Sequence, residues 1–316
     1  MPDYHLFGGT FRSALDFPEL VPVAVGSPDW YLAQQATLPT YDSLVPLGTE
    51  EVGAGVTVSL FRAGSALRLV FDDTGTFDIS SDGRRIDWAP PAAPDMEAVR
   101  KDVLGRVLAV ALEQEGITTL HGSAVAVDGA AIVFLAPKFH GKSTTATALV
   151  NAGGKLLADD IVPVTPGADP MVLPSVPVVQ LWPDSAERVG GGAAPVSPDQ
   201  KSPKAQVAWA GSERNAAAAV PLGAVYLLAP VRSEETRGVR RERVTGVMAS
   251  LALLGQAKVG GLLGVERRAA LLQRLVDLAV LVPVYRLEIP RDFERIGELT
   301  SSLLDWHAGS SAANPI

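Results

Sequence analysis

A short loop between a buried strand and a helix is the part of this sequence that most restricts its fold. Ala131 to Leu135 form an apolar run typical of a strand, and Ser143 to Val150 predict a helix that Gly153 and Gly154 close. The loop between them, Ala136-Pro-Lys-Phe-His-Gly-Lys-Ser143, fits the Walker A pattern with alanine in place of the first glycine. In this setting the loop amides and the helix N-terminus point towards a polyphosphate. The sequence therefore predicts a nucleotide-phosphate site, with an ordinary strand–turn–helix connection as the alternative.

The predicted phosphate loop assigns separate tasks to its residues. We expect the Lys142 side chain to lie against the β- and γ-phosphates and the Ser143 hydroxyl to bind Mg²⁺. The full predicted nucleotide-binding set is Ala136, Pro137, Lys138, Phe139, His140, Gly141, Lys142, Ser143 and Thr144. The cofactors that this pattern implies are ATP and Mg²⁺.

The segments on either side of the loop narrow the class of nucleotide-binding protein. Asp128-Gly129 is a strong two-residue hairpin signal between two strand-like runs, so the loop is predicted to follow a hairpin. Asp159 and Asp160 follow only 17 positions after Lys142, at the end of the short strand Lys155 to Ala158. Doubly wound NTPases usually reach their second acidic motif after a longer crossover. No Asn-Lys-x-Asp run occurs, which argues against a GTPase.

Three of these motifs carry a family resemblance. Leu120-His-Gly-Ser123, Gly141-Lys-Ser-Thr144 and Leu157-Ala-Asp-Asp160 resemble the corresponding motifs of HPr kinase/phosphorylase and its related serine kinases. Weaker similarity extends to Tyr4–Gly8 and to Pro283–Glu288. The resemblance implies an α/β fold with a phosphoenolpyruvate-carboxykinase-like P-loop kinase core.

The resemblance also implies roles for individual residues. Asp159 is expected to be the catalytic base and Asp160 to bind the metal with Ser143, although adjacent carboxylates near one Mg²⁺ can exchange roles. His121 matches a histidine that borders the active site in this family, with an ordinary structural histidine as the alternative. Asp159, His121 and Lys142 are thus the candidate catalytic residues. Lys138 to His140 are bulkier than the small residues usual in family loops, which puts the nucleotide preference in question.

The function that the motifs predict is phosphoryl transfer from ATP to a hydroxyl. The acceptor implied by the resemblance is a serine of a peptide or small protein. The alternatives are a kinase of a small-molecule hydroxyl and a catalytically inactive nucleotide-binding regulator. Val172 to Gln206 contain no convincing match to the segment that supports the phosphorylase reaction, so we expect kinase activity only.

Composition excludes several other classes. The chain has 316 residues, a net charge of −8, no cysteine and four histidines. Such a charge gives no basic surface for nucleic acid, and the absence of cysteine excludes disulfides and thiolate metal sites. The start of the sequence lacks a basic and apolar leader, and no apolar run reaches membrane-spanning length. We expect a cytoplasmic protein with no membrane or nucleic-acid partner, and a homo-oligomer stays open.

The remaining pattern predicts two domains. Residues 1–94 alternate as a small antiparallel β module that the proline-rich Ala89–Pro94 closes, and residues 95–316 form the kinase domain. Within the second domain, helices are predicted over Asp95–Glu115, Glu266–Leu281 and Phe293–Trp306.

Two lysines and two histidines lie outside these motifs. Lys201 and Lys204 fall in the irregular stretch from Pro163 to Gly223, where a basic residue either faces the phosphates or is simply solvated. His5 and His307 have no constellation around them and are expected at the surface.

Overall fold

The protein consists of two compact units that both contain strands and helices. The computed structural model describes residues 1–53, 55–191, 193–195, 204–209, 212–232 and 238–309. By contacts between residues, the first unit comprises 1–119 with 257–273, and the second comprises 120–256 with 274–316. The fold is mixed α/β, and both units are built on mixed sheets.

The first unit contains one mixed sheet rather than the antiparallel module that the sequence predicts. Among the described residues its strands are β1 (Asp3–Leu6), β2 (Gly9–Ser13), β3 (Val21–Val23), β4 (Trp30–Gln34), β5 (Val45–Gly53), β6 (Val56–Ala63), β7 (Ala66–Phe71), β8 (Gly75–Ile79) and β9 (Arg85–Ala89). Their order is β3-β1-β2-β4-β9-β8-β7-β6-β5. The antiparallel prediction is wrong at β4, which runs parallel to both β2 and β9. Long connections precede and follow β4, and such connections permit parallel pairing.

The predicted helix from Asp95 to Glu115 is present but interrupted. It consists of α1 (Met96–Asp102), a π-helical segment (Val103–Val107) and α2 (Leu108–Gln114). Gly105 leaves helical geometry with φ −94° and ψ −107°, a conformation to which a residue without Cβ adapts readily. The predicted stop at Gly116 is confirmed by its left-handed φ of 78°.

The helical segment packs within the first unit. The Trp30 indole donates to Glu115 Oε1 at 2.6 Å, and the Thr74 hydroxyl donates to Asp102 Oδ2 at 2.7 Å. These tertiary contacts place residues 95–119 in the first unit, whereas composition put the division at residue 94. The division of the chain into two domains at residue 94 stays a prediction.

The second unit is built on a mixed sheet that contains the predicted hairpin. Its elements are β11 (Gly122–Val127), β12 (Ala130–Leu135), α3 (Lys142–Asn151), β13 (Lys155–Asp159), β14 (Val162–Val164), β15 (Met171–Val172), β19 (Val220–Val231), β20 (Arg240–Val244), α5 (Gly246–Leu254), β21 (Val284–Pro290) and α7 (Ile296–His307), and helix α6 (Val265–Leu281) begins in the first unit. Strand β10 (Thr118–Leu120) precedes β11. Asp128 and Gly129 turn the hairpin with φ values of 45° and 81°, the two left-handed residues that a type I′ turn requires.

The irregular middle of the sequence contains a second, smaller sheet. Strands β16 (Val179–Leu181), β17 (Ala193–Pro195) and β18 (Ala205–Trp209) pair in the order β16-β18-β17, and helix α4 (Pro183–Val189) follows β16. Short 3₁₀ turns at Ser212–Arg214 and Phe293–Arg295 complete the described elements. In the part of the chain that the structure describes, no helix is long and apolar enough to cross a membrane.

Strand register brings three strand ends to one edge of the main sheet of the second unit. Strand β12 runs antiparallel to β11, with Leu135 opposite Gly122. Strand β13 also runs antiparallel to β11, with Asp159 opposite Ser123. Strands β12 and β13 therefore end at the edge where β11 begins, and the loop after β12 leaves the sheet beside Asp159.

His307 is buried, so the prediction of a surface histidine is wrong at this position. Only 6% of the residue is exposed. Its Nε2 lies 2.8 Å from the Tyr226 hydroxyl, to which Arg241 donates at 2.9 Å. Helical periodicity placed α7 correctly but could not show that its last residue would meet the aromatic side of β19. Burial lowers the pKa of His307 to about 4.

We expect protonation of His307 to destabilise the fold in mild acid. The unfolded chain takes up this proton near pH 6.5 and the folded chain only near pH 4, so stability falls as the pH drops through that window. Since a tenfold difference in proton affinity corresponds to about 1.4 kcal/mol, the full loss is about 3 kcal/mol. Urea unfolding between pH 7 and 4.5 measures it. The His307→Gln variant should show a shallower pH dependence, and an unchanged slope would contradict the prediction.

Candidate active site

The loop from Ala136 to Gly141 contains two residues with left-handed backbone geometry. Phe139 and Gly141 both adopt left-handed φ values, 68° and 85°. Gly141 precedes helix α3 and caps it without a side-chain hydrogen bond, which leaves its N-terminus open to an anion. Ala136, in contrast, is not among the residues with positive φ. Alanine therefore replaces the usual first glycine without backbone strain.

The Lys142 side chain folds back over this loop. Its ammonium group donates to the carbonyl oxygen of Ala136 at 2.7 Å and to that of Pro137 at 3.2 Å. These contacts hold a positive charge at the start of the loop, where the pattern places the β- and γ-phosphates.

Asp159 is the buried acid of the site. Its residue is 7% exposed, and its carboxylate accepts hydrogen bonds from Ser123 Oγ at 2.6 Å, Ser143 Oγ at 2.9 Å and the Gln180 backbone N–H at 3.0 Å. Burial raises the pKa of Asp159, while the hydrogen bond from Ser123 acts in the opposite direction. The carboxylate is therefore fixed in place beside the first turn of α3.

Asp160 and His121 form a second, more accessible pair. Asp160 has a left-handed φ of 69°, so the chain turns sharply directly after β13. Its Oδ1 lies 3.1 Å from His121 Nδ1, and the two side chains are 44% and 29% exposed. The His121 backbone N–H donates to the Gln256 carbonyl at 2.6 Å, which fixes the start of β11.

The structure thus brings the predicted residues together but pairs them in one particular way. Ser143 bonds to Asp159, whereas Asp160 faces His121. One carboxylate beside a serine hydroxyl suits Mg²⁺, which is commonly held by one or two carboxylates, substrate phosphates and waters. No group of three acidic, histidine or cysteine side chains that could hold a metal occurs among the described residues. The donor set therefore fits Mg²⁺ that arrives with a nucleotide rather than a metal caged by protein alone.

Two contacts of Asp159 were missed by sequence reasoning. Ser123 lies within the His-Gly-Ser motif, and its place opposite Asp159 in the register is the signal that could have indicated its role. The Gln180 contact comes from a backbone N–H, which carries no sequence signal at all.

Other candidate residues of the loop, and one of the two candidate lysines, make contacts of their own. His140 Nδ1 lies 2.8 Å from the Lys138 carbonyl oxygen. Thr144 Oγ1 lies 3.0 Å from Ser185 Oγ of helix α4. Lys204 places its ammonium 5.6 Å from the centre of the Trp182 ring, and Lys201 lies outside the described residues.

Gly122 is required by packing between the hairpin strands. A Cβ at this position would lie 2.6 Å from the Phe134 carbonyl oxygen and 2.6 Å from Leu135 Cδ2. We expect Gly122→Ala to destabilise the protein by about 1–3 kcal/mol, because the hairpin must shift to admit the methyl group. Urea unfolding checks this. Gly297→Ala is the control, because it places a Cβ in open space within α7 and should not destabilise the protein. Gly153→Ala is unsuitable as a control because the φ of Gly153 is 114°.

Comparison with known proteins gives matches among solved structures. The chain is similar to the structure of the Hpr(Ser) kinase/phosphatase from Coxiella burnetii, with 12% sequence identity, coverage of 61% of this chain and 99% of that chain, and a TM-score of 0.33. No family model matches the chain. None of the curated proteins matches it. Because a likeness of this size does not establish a family, the roles proposed below rest on contacts within the chain and on its motifs.

Proposed function

We propose that this protein is an ATP-dependent kinase that transfers the γ-phosphate to a hydroxyl. The observation that carries the proposal is the meeting of Lys142, Ser143 and Asp159 at one edge of the sheet, directly beside the N-terminus of α3. Phosphoryl transfer needs positioned phosphates, neutralised charge and an oriented acceptor more than covalent chemistry from the protein.

The phosphate-binding part of the site is the loop with the first turn of α3. The loop amides hold the polyphosphate, and Lys142 exchanges its contacts with the Ala136 and Pro137 carbonyls for phosphate oxygens. Mg²⁺ bound with ATP neutralises phosphate charge, and the Ser143 hydroxyl with an adjacent carboxylate would hold it. The motif resemblance supports a P-loop kinase core of the phosphoenolpyruvate-carboxykinase-like kind for this unit.

The contacts favour one division of labour between the two aspartates. Asp159 accepts three hydrogen bonds and contacts Ser143, so we assign it to the metal side. Asp160 is exposed and paired with His121. We therefore assign Asp160 the role of the base that accepts the proton of the acceptor hydroxyl, and His121 the role of orienting its carboxylate. This is the reverse of the division that the family resemblance implies.

The proposed acceptor is a serine of a peptide or small protein, following the motif resemblance. The test is transfer of label from [γ-³²P]ATP with Mg²⁺ across peptides, small proteins and metabolites produced alongside this protein. Acceptor-dependent formation of a phosphorylated alcohol supports the kinase, and the product identifies the acceptor class. Nucleotide binding without transfer to any acceptor would favour a regulator instead. Transfer of the phosphoryl group from phosphoserine to added inorganic phosphate, which would form pyrophosphate, would contradict the expectation of kinase activity alone.

A further inference from the structure

An aromatic pair stands at the phosphate loop, where small residues are usual. The Phe139 ring stacks on the Trp182 ring with centroids 5.1 Å apart and an interplanar angle of 24°. Phe139 nevertheless remains 70% exposed. One face of its ring is covered by Trp182, so the opposite face is open to solvent.

The backbone at Phe139 makes this placement unfavourable in itself. Its φ of 68° lies in the left-handed region, where glycine is accepted without steric penalty and a bulky residue is rare. A strained residue at a binding loop that also exposes an aromatic ring points to a contact made by that ring with a ligand.

Contacts around the pair tie it to the predicted phosphate loop and to the start of α3. Lys142, which marks the β/γ end, reaches the carbonyls of Ala136 and Pro137 at the start of the loop. Thr144 instead contacts Ser185 of helix α4, the helix that Trp182 precedes. Because Phe139 belongs to the loop and α4 contacts the first turn of α3, a nucleotide whose phosphates fill the loop would have its nucleoside near this pair.

We infer that the Phe139–Trp182 pair is a stacking platform for the base of the bound nucleotide. This inference rests on the proposed function, since it assumes that the loop holds the phosphates. Every base offers a π-face, so stacking tolerates different bases. Lys204, whose ammonium lies over the Trp182 ring, extends the platform with a cation–π contact. We therefore expect ATP and GTP to bind with similar affinity, and both to bind more tightly than tripolyphosphate.

The test compares the affinities of ATP, GTP and inorganic tripolyphosphate by titration calorimetry in the presence of Mg²⁺. Phe139→Leu removes the ring while a Cβ remains, so the backbone strain is retained. We expect this variant to bind ATP and GTP about 5- to 100-fold more weakly and tripolyphosphate unchanged. Phe139→Gly relieves the backbone strain and should show the same loss of nucleotide affinity.

A matched control and three contrary outcomes complete the experiment. Phe293, 36% exposed in the 3₁₀ turn Phe293–Arg295, provides the control variant Phe293→Leu, which should leave all three affinities unchanged. Equal weakening of ATP and tripolyphosphate in Phe139→Leu, or no weakening of either, would overturn the platform and leave the kinase proposal intact. Failure of the wild-type chain to bind ATP, GTP and tripolyphosphate would overturn both.

Discussion

The Lys142→Met variant should transfer phosphate from ATP at least about 100-fold more slowly than the wild type. The Lys142 ammonium donates to the carbonyl oxygens of Ala136 and Pro137. It is thus the positive charge that we expect beside the γ-phosphate. Methionine keeps the length and apolar stem but cannot neutralise charge that develops on the transferring group. The measurement is acceptor-dependent ADP formation at saturating ATP and Mg²⁺.

Lys155→Met is the control for this prediction. Lys155 is exposed at the first residue of β13, at the opposite end of the strand from Asp159, so its loss should leave turnover unchanged. Circular dichroism and the melting temperature of both variants show whether the fold is retained. Full activity in Lys142→Met with an intact fold would exclude the proposed role of the loop in catalysis.

Asparagine at Asp159 and at Asp160 should impair the reaction in two distinguishable ways. Asp160→Asn removes the proposed base, so kcat should fall by about 10²- to 10⁴-fold with an unchanged Mg²⁺ requirement. Asp159→Asn removes the carboxylate that contacts Ser143, so the Mg²⁺ concentration needed for half-maximal rate should rise, and excess Mg²⁺ should partly restore activity. Turnover measured as a function of Mg²⁺ concentration separates the two effects.

The fold should tolerate the change at Asp159. The amide can direct its NH₂ group towards the hydroxyls of Ser123 and Ser143, which rotate and accept, while its oxygen still accepts from the Gln180 N–H. Asp128→Asn is the matched control, because asparagine suits the first position of the hairpin turn. If Asp159→Asn lost turnover with no change in Mg²⁺ dependence, the base would instead be Asp159, as the motif resemblance implies.

Local elements with strong local signals were predicted correctly. The hairpin follows from Asp128-Gly129, whose left-handed φ values are confirmed, and α3 and β13 have nearly the predicted bounds. Helix α6 likewise covers Val265–Leu281, one residue more than the periodicity of its apolar positions indicated. Such elements depend on turn chemistry and residue spacing within a few positions, so the sequence contains the information.

Features that depend on distant partners were not predicted. The parallel pairing of β4, the packing of residues 95–119 with the first unit and the burial of His307 all result from contacts over long separations in sequence. Nothing in the residues next to His307 distinguishes a surface position from one beneath Tyr226.

The sequence by itself determined which side chains form the candidate site: Lys142 and Ser143 at the loop, and the adjacent pair Asp159-Asp160. The sequence left open which of the two carboxylates takes which role, because both were expected near one Mg²⁺. Only the tertiary structure decided which carboxylate contacts Ser143 and which one faces His121. The register of β11 with β13 sets Asp159 opposite Ser123 and against Ser143, and the left-handed turn at Asp160 directs that carboxylate to His121. Register is fixed by how the whole sheet buries its apolar face, which no single strand specifies alone.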